Sequence, residues 1–194
     1  MEATLAFLLG ASAVTAFAWA RSRFLGFRGQ KPADYADTED AFDLRKHLDG
    51  PLVCEGVIFG PLGRVTSRFV ADFHATWEGD TGRMTERFRY CSGETQEREW
   101  RLTVLADGRI RAEADDLVAT GEGRQSGSGV QLAYRIRLPE SSGGHVLDAV
   151  DWMYLIDGGT IINRSQFRKY GFKVAELVAT IRSADAGAVT RKAA

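Results

Sequence analysis

Cysteine and histidine are scarce. Two cysteines, Cys54 and Cys91, and three histidines, His47, His74 and His145, are scattered through 194 residues. No CxxC pair is present, so the spacing that a zinc site needs is missing and no metal is expected. The two cysteines read as independent strand residues or, in an oxidising compartment, as one disulfide. A GxSxG nucleophile elbow, a phosphate-binding loop and a GxGxxG fingerprint are all lacking, as is a Ser-His-Asp arrangement. Neither a catalytic residue nor a cofactor is expected. Charge of one sign is also missing: 25 basic residues face 26 acidic ones, with no long Lys/Arg run. A nucleic-acid partner is therefore not expected.

What the sequence does have begins with an uncharged run, Ala3 to Ala20, followed by Arg21, Arg23 and Arg28. Its length lies between a signal-peptide core and a short spanning helix. Only Met1 and Glu2 precede it, which favours an uncleaved membrane anchor over a cleaved signal. Ala18-Trp19-Ala20 has the small residues of a cleavage site, and a buried helix is the third reading. The basic flank alone would hold the carboxyl side in the cytoplasm. Residues 24 to 37 read as a linker broken by Gly26, Gly29 and Pro32. Thr38 to Leu48 predicts a short helix capped by Thr38, with Phe42, Leu44 and Leu48 packing on the domain that follows.

From Leu52 onward, apolar residues alternate with polar ones between glycine-containing turns. Val65 to Trp77 presents Phe69, Ala71, Phe73 and Ala75 on one face. Met84, Glu86, Phe88 and Tyr90 share a face opposite Arg83, Thr85, Arg87 and Arg89. Asp107-Gly108 marks a hairpin, and Gly121 to Gly129 reads as turn-rich. Val130, Leu132, Tyr134, Ile136 and Leu138 form the cleanest apolar face. Further strands are expected around 146–156, 160–164 and 172–181. No helix long enough for a βαβ crossover separates these strands. Eight or nine strands with short connections predict an all-β, antiparallel up-and-down barrel, with a two-sheet sandwich as the alternative.

Inside such a barrel Glu86 would be a desolvated carboxylate in need of a partner. Pairing across Cys91 to Thr95 places Arg98 on the same face, as an ion-pair partner or as the polar end of a ligand pocket. Trp77, Tyr90, Trp100 and Tyr134 can line the same interior as pocket walls or as packing. Asp115 and Asp116 would point to opposite faces of a strand, which argues against an acid/base dyad. The stretch from Asp151 to Phe172 concentrates unusual residues: Asp151, Trp152, Asn163, Arg164 and Lys169 are candidate ligand contacts at a rim or plug. Arg164 and Lys169 would suit an anionic head group.

Several strings resemble the DUF3833 family. They are Leu48-Asp49-Gly50, Gly56-Val57-Ile58, Trp77-Glu78-Gly79, Glu86-Arg87-Phe88-Arg89-Tyr90, Asp151-Trp152-Met153-Tyr154-Leu155, Ile162-Asn163-Arg164 and Lys169-Tyr170-Gly171-Phe172. The resemblance covers roughly residues 35 to 182. It implies a lipocalin-like fold in a bacterial envelope protein and carries no catalytic residues. Many relatives look like lipoproteins, yet no cysteine precedes Cys54 here. Attachment by that route is therefore not expected. The resemblance favours a periplasmic domain, against the cytoplasmic pull of the basic flank.

The expected organisation is an anchor or signal segment over 1–30, a barrel over 31–184 and a flexible tail over 185–194. The expected function is a non-catalytic, inner-membrane-associated barrel binding a lipid or another small apolar ligand. Two alternatives stand beside it. One is an enzyme acting on a lipid-like substrate through Glu86. The other is an interaction subunit of an envelope complex, using Arg83, Arg87 and Arg89.

Overall fold

The computed structural model describes residues 2–185; most of the expected tail lies outside them. The chain forms two units, one up to Asp34 and one from Tyr35 onward. The first contains α1 (Glu2–Phe24) and a 3-10 turn at Gly26–Arg28. Glu2–Arg21 is long and apolar enough to cross a bilayer, and none of that window is buried.

The second unit is a closed antiparallel barrel. Its strands are β1 (Gly50–Phe59), β2 (Val65–Glu78), β3 (Thr81–Tyr90), β4 (Thr95–Val104), β5 (Arg109–Glu113), β6 (Gly121–Ser126), β7 (Gly129–Arg137), β8 (Val146–Leu155), β9 (Ile161–Lys169) and β10 (Phe172–Ser183). Each pairs with its sequence neighbour, and β1 pairs with β10 from Leu52 opposite Ser183 to Phe59 opposite Glu176. Closure leaves no open edge, so every strand has two ladders to satisfy its backbone.

Ten strands replace the eight or nine expected, and β6 is the one the sequence hides. Its glycines mark a strand, not a long turn. A Cβ on Gly121 would stand 2.9 Å from the Tyr134 Cβ, and one on Gly123 would stand 2.1 Å from the Gln131 carbonyl oxygen. Backbone and large β7 side chains occupy the space where β6 side chains would be, so glycine is required there. The true turn is at Gly127, whose φ is +49°.

The helix expected from Thr38 is only α2 (Leu44–His47), capped by Asp43, whose carboxylate accepts from the Arg45 amide at 3.0 Å. Thr38 instead donates to the Tyr35 carbonyl at 2.6 Å and accepts from the Ser128 amide at 2.7 Å. That tie holds the entering chain against the β6–β7 turn. Phe42, Leu44 and Leu48 are buried in the barrel core as expected. The disulfide reading fails: both cysteines are free, with Cys54 buried in β1 and Cys91 exposed in the β3–β4 turn. Burial pushes the Cys54 thiol far up, so it stays protonated.

Candidate functional site

One end of the lumen is filled by Phe42, Leu44 and Leu48. The plug is fastened by hydrogen bonds: the Phe42 amide donates to the Gly127 carbonyl at 2.8 Å, and the Trp77 indole donates to the Leu48 carbonyl at 2.7 Å. Trp77 in turn needs Gly82, because a Cβ there would lie 2.6 Å from its ring. From the plug a cavity runs to the opposite end, where it opens into a region that also reaches the outer face of β2–β4; together they enclose about 1660 Å³. The turns after β3, β5 and β7 surround that mouth. Two register shifts, in β1–β2 at Ile58/Phe59 and in β9–β10 at Lys173/Ala175, lie at the same end. Such bulges bend strands locally and loosen a rim.

The lumen wall combines an aromatic arc with a polar cluster. Phe69, Phe73 and Phe88 pack at ring separations of 5.4 and 5.6 Å, and Phe88 stacks on Tyr90 at 6.1 Å. Tyr90 donates to Gln96 at 3.0 Å. Along the neighbouring strand, Trp100 meets Tyr134 edge-on at 5.3 Å, and Tyr134 packs closely over Gly121. Between these aromatics lie Glu86, Arg98, Asp116, Asp151 and Asn163.

Glu86 is directly across the β3–β4 ladder from Arg98, yet they do not form the expected ion pair. The guanidinium turns its Nε to Asp116 at 2.9 Å, and its Cζ lies over the Trp100 ring at 3.9 Å. Glu86 is left with the Trp100 indole and the field of Arg98. Those offset its burial only in part, and its pKa is pushed up to about 7. Asp151 is also raised by burial, against the Ser165 and Tyr134 hydroxyls. The Tyr134 hydroxyl donates to Asp151 Oδ2 at 2.9 Å. Three buried polar atoms on this wall have no hydrogen-bond partner: Arg98 Nη2, Asp151 Oδ1 and Asn163 Oδ1.

Of the residues singled out by sequence, Glu86, Tyr90, Arg98, Trp100, Tyr134, Asp151 and Asn163 line this cavity together. Trp77 belongs to the plug. Trp152 and Arg164 lie on the outer face, one residue out of phase with the lumen-facing Asp151, Met153, Asn163 and Ser165. Trp152 is covered by Tyr35 at 5.3 Å and stacks on Tyr154 at 6.0 Å. Arg164 pairs with Glu176 at 2.6 Å, and Lys169 contacts His145 at 3.0 Å near the mouth. The missed residue is Asp116. Its signal was the vicinal pair: Asp115 points outward to Arg101 at 3.0 Å and Asp116 inward to Arg98. On the outer face, Arg83, Arg87 and Arg89 are matched by Glu99, Glu97 and Asp72. That pairing leaves them a solvated, charge-balanced strand face. Among the described residues no group of acids, cysteines and histidines could hold a metal ion.

Comparison with known proteins adds a family and a fold. A model described as "Protein of unknown function (DUF3833)" matches residues 22–183. A search of curated proteins finds no match. Among solved structures, the barrel is similar to the S-type phycobiliprotein lyase CPES from Guillardia theta. The TM-score is 0.53 at 9% identity, covering 72% of this chain and 90% of that one. It is also similar to Rv2717c from M. tuberculosis, with a TM-score of 0.50 at 17% identity, covering 76% of this chain and 99% of that one. At such identities the likeness carries the fold alone.

Proposed function

The chain belongs to the DUF3833 family, and since that family lends no activity, we propose from the geometry that it is a membrane-tethered barrel that binds a small apolar molecule in its lumen. The observation that carries this reading is the asymmetric lumen: plugged by Phe42, Leu44 and Leu48, open at the other end, and walled by aromatics around a few unsatisfied polar atoms. Small-molecule pockets are built this way, with apolar walls for affinity and a few polar groups for orientation. A barrel made only for stability would pack its interior to crystal-like density, because empty volume costs dispersion energy. The tether is the helix Glu2–Arg21, which would keep the lumen close to a bilayer where apolar molecules concentrate. Leu62, Tyr170 and Phe172, all strongly exposed in adjacent turns at the open end, would ease transfer between lipid and lumen.

Native mass spectrometry of the full chain released from detergent tests the reading. A bound molecule should be retained by the natural protein and lost by Ala175→Trp, which obstructs the lumen close to its mouth. An empty lumen in the natural protein, after gentle extraction from its own membrane, would count against it.

Catalysis is the second reading, and Glu86 is its basis. A carboxyl whose pKa is near 7 is poised for proton transfer at neutral pH. Glu86→Gln would separate the two: a binding protein keeps its ligand, whereas an enzyme loses turnover and accumulates substrate.

A further inference from the structure

The lumen's unsatisfied atoms are of unequal kinds, and this bears on the chemistry of the ligand. The inference rests on the lumen-binding reading and refines it. Asp151 Oδ1 and Asn163 Oδ1 are buried acceptors on neighbouring strands to which no hydrogen bond is closed; the Ser165 hydroxyl opposite Asp151 acts on its carboxyl without closing one to Oδ1. They are diagonal neighbours: Asp151 is opposite Ser165, and Asn163 is opposite Met153. Both side chains line the cavity. Glu86 adds a carboxyl that accepts when ionised, with one indole and no ion pair around it. Against these, the wall offers a single unpartnered donor, Arg98 Nη2. The formal charge is similarly uneven. Glu86, Asp116 and Asp151 face the cavity, so even with Glu86 protonated the acids outnumber the one cation among them, Arg98, which is already engaged by Asp116.

A buried acceptor with no donor costs free energy that a ligand recovers by supplying an N–H or O–H. A carboxylate ligand supplies none, and it would bring a further negative charge into a cavity of low dielectric. The other cations are placed away from these acceptors: Arg164 is on the outer face with Glu176, Arg87 is there with Glu97, Lys169 is near the mouth against His145, and Arg137 is at the end of β7 bordering the rim. We propose that the lumen takes an apolar, ring-bearing molecule with hydrogen-bond donors, neutral or cationic, anchored on Asp151 and Asn163, and that it rejects free carboxylates. Ring-bearing follows from the arc of Phe69, Phe73, Phe88 and Tyr90, whose edge-on and stacked contacts could continue onto a flat guest.

The test uses three probes with one ring system: 9-anthracenemethylamine, 9-anthracenemethanol and 9-anthracenecarboxylate. Anthracene accepts energy from tryptophan, so transfer from the chain's four tryptophans, compared with a lumen-obstructed variant, reports occupancy in the full chain held in detergent. Ala175→Phe, which obstructs the lumen without adding a donor, would serve as the control for partition into the micelle. The amine and the alcohol should bind, and the carboxylate should bind at least about tenfold more weakly than either. Asp151→Asn should remove most of the amine's advantage over the alcohol. Asn163→Leu, which leaves Asp151 intact, should weaken both donors if the first variant folds poorly. A carboxylate that binds as well as the amine overturns the donor inference and leaves the lumen reading standing. Transfer that is the same in the natural protein and in Ala175→Phe for all three probes defeats both.

Discussion

At the end that carries α2, Phe42, Leu44 and Leu48 are at most 2% exposed, whereas at the opposite end Leu62, Tyr170 and Phe172 are 85%, 88% and 76% exposed. Both ends spend large apolar side chains, but only the first obtains burial for them. The plug also closes its backbone bonds, through the Phe42 amide, the Leu48 carbonyl and the Trp77 indole. The open end instead gathers the bulges, the long loops and the exposed cysteine. Apolar burial and closed backbone bonds are concentrated at one end, and the other end is open.

The largest test of that division is Phe42→Ala. Removing a buried phenylalanine and leaving its cavity should cost about 3–5 kcal/mol. Leu62→Ala at the open end should change stability by no more than about 0.5 kcal/mol. Urea unfolding of the full chain in detergent, followed by tryptophan fluorescence, measures both. Equal costs at the two ends would erase the contrast.

Glu86 tests the space between them. Its pKa in the fold, about 7, lies above the ordinary value of 4.5. The fold therefore prefers the protonated acid. That preference is fully present below the unfolded pKa and is lost as pH rises through 7. Over that window the natural protein should lose up to about 3 kcal/mol, an upper bound because water can reach the lumen from its mouth. Glu86→Gln mimics the protonated acid. The variant should match the natural protein at pH 5 and melt higher at pH 8. A variant that melts lower at both pH values would mean that the Arg98 field, not burial, dominates.

Trp77→Phe sharpens the comparison on the plugged side. The ring's packing on Gly82 is retained, but the Leu48 carbonyl loses its donor. A loss of about 1 kcal/mol is expected. Hydrogen exchange should show the α2 amides opening more readily while those of β9 and β10 near the mouth remain unchanged.

The plug was more legible in the sequence than the site. Phe42, Leu44 and Leu48 announce themselves because large apolar residues beside a strand-rich body have few places to go. The faces of β2, β3, β4 and β7 follow from period-two alternation, which fixes orientation without tertiary knowledge. β6 was hidden because the signal for a strand is its side chains, and Tyr134 and Leu132 replace those of Gly121 and Gly123. Parity also explains the uneven reading of Asp151 to Lys169. Neighbouring residues on a strand face opposite ways, so Asp151 and Asn163 reach the lumen while Trp152 and Arg164 cannot. The vicinal pair gave the inward direction of Asp116, but not that it is the partner of Arg98. Glu86 is its register neighbour, but Asp116 arrives from the loop after β5, and loop conformation leaves no periodic trace.

The smallest expected effect is the most telling about the open end. Tyr170 and Gly171 form the β9–β10 turn with φ of 53° and 83°. Two consecutive left-handed residues make a type I′ hairpin, where asparagine followed by glycine is favoured. Tyrosine tolerates that conformation poorly, and at 88% exposure it recovers little by packing. Tyr170→Asn should therefore raise stability by about 0.5 kcal/mol, read from the same urea transitions. A protein selected only for its barrel would carry the asparagine. If the aromatic ring serves contact with lipid or passage of a ligand, Tyr170→Asn will gain stability and still slow the exchange of the anthracene alcohol between vesicles and the lumen. A gain in stability with unaltered exchange would remove Tyr170 from the working surface and leave Leu62 and Phe172 to account for it.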